Sequence, residues 1–159
     1  MTKRLLVAAV LAWSCAVLVA GCGSSGGSRL SADEYTARLA SIGKEAATNQ
    51  AAVEQALRAT SVDEIHTRLA NFADADDRLG DEVAKLKPPK NAESANAQLA
   101  RGEHDLASDV RDILPDVSKQ KTAKAALARI QESLGSAAGA RELDEALTQL
   151  KKLGYTKGG

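Results

Sequence analysis

The sequence predicts an all-α protein: an antiparallel up-down bundle of about four helices, preceded by an apolar amino-terminal segment and a Gly/Ser linker. From Leu30 onward the apolar residues recur at helical spacing, and no stretch shows the alternating pattern of a strand. Proline and glycine residues fall between the periodic segments. Helices of roughly 25 residues joined by short connections must run antiparallel to their neighbours, which gives a bundle.

The first helix is predicted to begin at Ser31. Ser31 and Glu34 have the spacing of a capping box, and Leu30 and Tyr35 occupy the positions of a hydrophobic staple. The apolar residues that follow share one helical face. They are Tyr35, Leu39, Ile42, Ala46, Val53 and Leu57.

A similar start recurs thirty residues later, at Ser61, and a weaker one at Asn91. Residues 61–70 match residues 31–40 at most positions. The pattern has two interpretations, a duplicated helical repeat or a set of Ala-rich helices that begin alike because each has a good cap. Both interpretations predict that the second and third helices begin at these residues.

Prolines and glycines predict where the later helices end. Pro88 and Pro89 stop the second helix, and Pro115 is expected to break the third, because a proline ring removes a donor and clashes with the preceding turn. The fourth helix should start near Ser118 and end at a left-handed cap on Gly154. It is either one piece or two, since glycines at 135 and 139 weaken its middle.

The first 21 residues have the pattern of a secretory signal. Lys3 and Arg4 precede an apolar run from Leu5 to Ala20, which at about 16 residues is shorter than the roughly 20 that span a bilayer as a helix. The predicted organisation is a signal peptide over 1–21, a modified cysteine and flexible linker over 22–30, a helical bundle over 31–155 and a flexible tail over 156–159.

The end of that segment, Val19-Ala20-Gly21-Cys22, resembles the lipobox of bacterial prolipoproteins. The resemblance implies cleavage between Gly21 and Cys22 and a diacylglycerol on Cys22, which would hold the chain on the extracytoplasmic face of the cell membrane. Two or more acyl chains suffice for stable anchoring. The alternatives are an ordinary secretory signal with a chance cysteine and a retained transmembrane anchor.

The body resembles a group of uncharacterised small helical lipoproteins of high-GC bacteria. Glu34-Tyr35, residues 40–46, residues 86–89 and the ending Leu153-Gly154-Tyr155 carry the resemblance. Many members of that group have a cysteine in the first helix and another after the aromatic ending. This chain has neither, so their disulfide does not transfer to it.

Composition excludes several kinds of site. The 21 basic residues balance 21 acidic residues, and the predicted signal removes two of the basic ones, so nucleic-acid binding is not favoured. After Cys22 the aromatic residues are only Tyr35, Phe72 and Tyr155, which argues against stacking of sugars or bases. Because no cysteine follows Cys22, the fold must rest on packing without an internal disulfide.

No catalytic motif is present, and we assign no catalytic residue, metal ligand or cofactor and expect no enzyme activity. The best metal candidates are Asp63 and His66 on helix two with Glu103 and His104 on helix three. Because both histidines flank the apolar stripe, boundary or solvated histidines are the favoured interpretation.

Two charged stretches are interpreted mainly as solvated faces. The acidic residues of 74–82 continue the apolar stripe of helix two, so we expect them on its outer face. A calcium loop is excluded because Leu79 stands where that loop needs glycine. Lys119, Lys121, Lys124 and Arg129 form a basic cluster that is either solvated or placed against lipid headgroups near the anchor.

The functional hypothesis is a non-catalytic binding or scaffolding module for another protein of the cell envelope. Tethering through Cys22 would raise the effective concentration of the bundle for anything else held at that membrane. The alternative is a carrier of a small ligand or metal that uses the bundle interior.

Overall fold

The computed structural model describes residues 28–135 and 137–156, and this part of the chain is all-helical, without strands. It contains five α-helices and one short 3₁₀ turn. None of the described helices is both long enough and apolar enough to cross a bilayer. The helices are α1 (Ala32–Ala56), α2 (Val62–Lys85), α3 (Glu93–Ser118), α4 (Ala123–Leu134) and α5 (Ala138–Lys152), with the 3₁₀ turn at Lys90–Ala92.

Helices α1 and α2 begin where the sequence predicts. The hydroxyl of Ser31 accepts a hydrogen bond from the backbone N–H of Glu34, and the Glu34 carboxylate accepts one from the Ser31 N–H at 2.8 Å, which completes the capping box. Ser61 caps α2 through the backbone N–H of Glu64 in the same way. Leu30 packs against the cluster of buried residues that contains Tyr35, as expected for the staple.

The start of α3 differs from its prediction. Asn91 does not cap the helix but lies in the 3₁₀ turn, and α3 begins two residues later at Glu93. The side chain of Asn91 is used elsewhere, because its Oδ1 accepts a hydrogen bond from the Tyr155 hydroxyl at 2.9 Å. A tertiary contact has therefore replaced the local cap that the sequence predicts.

The prediction that Pro115 breaks the third helix is wrong. Pro115 lies inside α3, which continues to Ser118. A proline this close to the end of a helix removes only one of the last backbone hydrogen bonds. Val117, in the last turn, is completely buried, so continuing the helix keeps apolar surface out of water and offsets that loss.

The predicted fourth helix is two helices, and it starts later than Ser118. Thr122 caps α4 through the backbone N–H of Ala125. Gly139, in the first turn of α5, lies so close to α3 that a Cβ there would be 2.1 Å from the backbone nitrogen of Leu106. Asp109 of α3 accepts a hydrogen bond from the Gly139 N–H at 3.2 Å, so α3 supplies the polar partner for the start of α5.

The left-handed cap after α5 is confirmed. Gly154 has φ of 83°, a conformation that favours glycine. The N–H of Tyr155 donates to the carbonyl of Leu150 at 2.9 Å, and the N–H of Gly154 donates to that of Lys151 at 3.0 Å, which is the Schellman pattern. The cap turns the Tyr155 side chain back into the protein, where it is 7% exposed.

Helix α3 packs against α2, α4 and α5, and α1 packs against α2. The buried apolar residues form two separate clusters. The first core contains Tyr35, Leu39, Ile42, Leu79, Val83, Ala92, Ala95, Leu99, Ala100, Ala146, Leu150 and Tyr155. The second core contains Ile65, Leu69, Ala73, Ala107, Val110, Ile113, Val117, Ala126 and Ile130.

A buried amide ties three segments together in the first core. The Oδ1 of Asn96 accepts a hydrogen bond from the Tyr35 hydroxyl at 3.0 Å, and its Nδ2 donates to the carbonyl of Val83 at 3.0 Å. The Tyr35 ring also meets the Tyr155 ring edge to face, with centroids 5.1 Å apart. Burial raises the pKa of Tyr35, so the hydroxyl stays protonated and donates.

Replacing Asn96 with Ala is expected to destabilise the protein by about 2 kcal/mol, because the Tyr35 hydroxyl would stay buried without a partner and the Val83 carbonyl would keep only the Leu86 N–H. Urea unfolding followed by circular dichroism measures the change. The matched control is Asn91→Ala, which removes the exposed partner of Tyr155 and should cost less than about 1 kcal/mol. Equal losses in the two variants would contradict this account of Asn96.

Candidate functional site

Two carboxyl groups are buried between the two hydrophobic cores. Asp76 of α2 is 3% exposed and Glu103 of α3 is 7% exposed. Along α2, Asp76 lies between the second-core residue Ala73 and the first-core residue Leu79. Glu103 has the corresponding place on α3, so the pair forms a polar layer that divides the interior.

The buried environment favours the protonated form of both groups. Burial raises the pKa of Asp76 to about 7, and a hydrogen bond from the Asn49 side chain opposes part of that rise. Burial, followed by the negative charge of Asp76, raises the pKa of Glu103 to about 8. The pair can therefore take up and release protons close to neutral pH, whereas carboxyl groups on the surface are ionised there.

The polar layer reaches a surface groove between α1 and α2. The groove has a volume of about 210 Å³, and Asn49, the partner of Asp76, forms part of its wall. Arg78 and Glu82 contribute charged groups to the same wall. The remaining lining residues are Glu45, Thr48, Ala75 and Leu79.

An ion-pair network joins α2 and α3 at residues next to the buried carboxyl groups. His104 Nδ1 lies 2.6 Å from a carboxylate oxygen of Asp77, and the Arg111 guanidinium lies 3.0 Å from the second oxygen and 3.1 Å from Asp74. The hydrogen bond from His104 and the charge of Arg111 lower the pKa of Asp77. Adjacent aspartates of α2 thus have opposite environments: Asp77 is ionised in the network, and Asp76 is buried.

The expectation that the acidic stretch 74–82 forms an outer face is wrong for Asp76. Its neighbour Asp77 does lie toward the surface, but Asp76 follows Leu69 by seven residues and precedes Val83 by seven. That spacing places it on the inner stripe. Glu103 likewise follows Leu99 by four residues. An acidic residue at an inner position was the signal that could have identified both.

The metal candidates proposed from the sequence are not brought together. His104 contacts Asp77 of α2. His66 lies 11 positions before Asp77 on the same helix, or about 16 Å away at the rise of an α-helix. Glu103 points into the polar layer, whereas His104 contacts the surface network. Within the described residues, no group of three or more His, Cys, Asp or Glu side chains is arranged to hold a metal ion.

The basic cluster of residues 119–129 lies far from the place where the described chain begins. Arg29 forms an ion pair with Glu93 at the start of α3, and Lys119 follows the other end of that helix, about 37 Å away along its axis. Asp116 pairs with both Lys119 and Arg129, at 3.2 and 2.8 Å. Of the two interpretations of this cluster, the distance from the start of the described chain favours the solvated face over placement against lipid headgroups.

Gly21 and Cys22, the predicted cleavage and lipidation site, lie outside the described residues. In comparisons with known proteins, no protein-family model matches the chain. No curated protein and no solved structure matches it either.

Proposed function

We propose that the protein is a lipid-anchored, extracytoplasmic lipoprotein that serves as a non-catalytic binding or scaffolding module in the cell envelope. Cleavage between Gly21 and Cys22 exposes the cysteine, which is acylated and holds the chain at the membrane. Residues 31–155 then form an antiparallel up-down bundle in which α4 and α5 together take the place of a fourth helix. The expected partner is another protein of the envelope.

The amino-terminal sequence is the single observation that carries this proposal. A basic start, a short apolar run and Val19-Ala20-Gly21-Cys22 follow one another in the order of a prolipoprotein signal. A Gly/Ser stretch follows Cys22, and eight residues of this composition span about 15 Å. Such a linker would keep the helical domain close to the membrane, where tethering favours even weak contacts.

Replacing Cys22 with Ala tests both parts of the proposal. We expect the variant to lose incorporation of a palmitate analogue and to leave the membrane fraction, because the acylated side chain is absent. Proximity crosslinking in cells, followed by mass spectrometry, should capture a discrete envelope protein with the native chain but not with the variant.

The matched control is Cys15→Ala, which removes the other cysteine while leaving the predicted cleavage site intact. It should behave like the native chain in all three measurements. Acyl incorporation that persists in Cys22→Ala would contradict the anchor. Identical crosslinked species from the native chain and Cys22→Ala would contradict a scaffold that depends on membrane attachment.

A second candidate function is a carrier of a small ligand, and the contact between Asn49 and Asp76 favours it. Asn49 joins the surface groove to the buried carboxyl pair, so a small cationic ligand in the groove would find carboxylates behind it. Native mass spectrometry of protein purified without chelator separates the two functions. A stoichiometric bound molecule or metal, lost in Asp76→Asn, would favour the carrier.

A further inference from the structure

Three segments meet at one end of the helical domain, which we call the entry end: residues 29–31, 86–92 and 151–155. The backbone N–H of Leu30 donates to the carbonyl of Lys87 at 2.8 Å, and the Arg29 guanidinium donates to the carbonyl of Pro88 at 3.0 Å. The Tyr155 hydroxyl donates to Asn91. The start of the described chain is thus fixed to this end by hydrogen bonds.

The entry end carries four exposed lysines. Lys87 and Lys90 lie in the connection between α2 and α3, and Lys151 and Lys152 lie in the last turn of α5. None of the four forms an ion pair with a described residue. Six other basic side chains also lack an ion pair with a described residue, but they are spread along the rest of the described chain, whereas these four lysines lie together at one end. The six are Arg38, Lys44, Arg78, Lys121, Lys124 and Arg141.

Neighbouring carboxylates offset only part of this charge. Glu93 is paired with Arg29, and Asp81 lies 3.6 Å from Lys85. Glu34 is engaged in the cap of α1, where the backbone N–H and hydroxyl of Ser31 lower its pKa. Asp33 and the ionised Glu34 are the exposed carboxylates in the first turn of α1, so the four lysines of the entry end still outnumber them.

We propose that the entry end is a docking surface for anionic lipid headgroups. The inference rests on the proposed function, in which Cys22 is acylated. Only five residues separate Cys22 from Ser28, the first described residue, so the anchor would bring this end to the bilayer before any other. Lipids with a net negative charge complement the lysines, and each lysine beside such a surface favours partitioning about fivefold.

This orientation gives the domain two different ends. The helices would stand away from the membrane, with the lysines among the headgroups and the connections at 57–61 and 119–122 about 37 Å above them, at the far end of α3. The free face for a protein partner is then the distal part of the domain. The first core, the Schellman cap and the tyrosine pair would hold the lysine-bearing segments rigid at the membrane.

Lysine reactivity on vesicles tests the proposal. The full chain, produced in a lipidating bacterium, is placed on vesicles of phosphatidylcholine alone or of equal parts phosphatidylcholine and phosphatidylglycerol. Acetylation of each lysine is followed by mass spectrometry. We expect the four entry-end lysines to react at least about threefold more slowly on the anionic vesicles than on vesicles of phosphatidylcholine alone. High salt should abolish the difference, because exposed charges are screened.

The internal control is the reactivity of Lys119, Lys121 and Lys124, which lie at the distal end and should react equally on both vesicles. A variant with all four entry-end lysines changed to Gln should lose the effect of salt on vesicle binding, whereas the triple change of the distal lysines to Gln should not. Equal reactivity at both ends, or protection of the distal lysines, would overturn the inference.

The same preparation separates failure of this inference from failure of the proposed function. Intact mass shows whether Cys22 is acylated. If it is not, the proposed function fails, and the lysine measurement is repeated on a Cys15→Ala chain whose single thiol, Cys22, is coupled to a maleimide lipid. Protection of the entry-end lysines in that tethered chain would support the docking surface, and unchanged reactivity would refute it.

Discussion

The free energy of unfolding is expected to fall by about 3 kcal/mol or more as the pH rises from about 4.5 to 8, because a pKa difference of one unit corresponds to about 1.4 kcal/mol. Asp76 and Glu103 have pKa values of about 7 and about 8 in the folded protein. In the unfolded chain, both groups return to values near 4. Urea unfolding followed by circular dichroism measures this fall. Tryptophan fluorescence would not report on the helical body, because the single Trp, Trp13, lies in the predicted signal.

The free energy of unfolding falls with rising pH because the folded state binds more protons than the unfolded chain. Between about pH 4 and pH 8 the folded state keeps protons that the unfolded chain has released, so rising pH favours unfolding. Asp77, Glu34 and Asp116 have pKa values below their usual range, so they add stability as the pH rises toward 4 and contribute little to change above it. Maximum stability should therefore lie near pH 4 to 5.

Asp76→Asn should flatten this dependence and stabilise the protein at pH 8, because an amide keeps the shape of the side chain without a buried charge. Glu103→Gln should act in the same direction. The matched control is Asp77→Asn, one residue away, which breaks the contacts with His104 and Arg111 and should lower stability while leaving the slope in place. An unchanged slope in Asp76→Asn would show that the buried carboxyl group does not determine the pH dependence.

Gly139→Ala is expected to cost more than about 3 kcal/mol, at the upper end for single substitutions that overpack a protein interior. The new Cβ would lie 2.1 Å from the backbone nitrogen and 2.6 Å from the Cα of Leu106. Backbone atoms of a buried helix cannot rotate aside, so α5 must move away from α3. That movement would break the hydrogen bond from the Gly139 N–H to Asp109 and loosen the packing of Leu143 over Gly102.

Gly135→Ala is the matched control, because Gly135 is exposed and has an ordinary right-handed conformation with φ of −63°. Removing a glycine there should leave stability unchanged or raise it slightly. Urea unfolding of both variants measures the difference, and loss of helical signal in Gly139→Ala without urea would itself agree with the expectation. Similar midpoints for the two variants would mean that α5 can shift without cost.

Local signals predicted the parts of the fold that local interactions decide. The serine caps of α1 and α2 and the glycine cap after α5 are hydrogen bonds within a few residues, so the sequence was sufficient. The prediction for Asn91 is wrong because its side chain accepts a hydrogen bond from the distant Tyr155 instead of capping α3. The prediction for Pro115 is wrong because the burial of Val117 offsets the backbone hydrogen bond that the proline removes. The sequence does not decide whether the fourth helix is one piece or two, because the close contact of Gly139 with Leu106 joins residues far apart in the chain.

The candidate site depended on tertiary structure to a greater degree. Helical spacing placed Asp76 and Glu103 on inner stripes, but whether an acidic residue there is buried depends on the neighbouring helix. The first three helices meet at this layer, with Asn49 beside Asp76, and only their packing creates the environment that raises both pKa values.

By itself, the sequence determined an all-helical body, the caps of its first two helices and the expectation of an acylated Cys22. Helical periodicity, caps and signal segments each depend on residues that are close together in the chain. Tertiary structure alone decided that the interior has two cores separated by a carboxyl pair, and that unpaired lysines gather where the described chain begins. The physical reason is that burial and net charge at a surface are sums over residues far apart in the chain, and only folding brings those residues together.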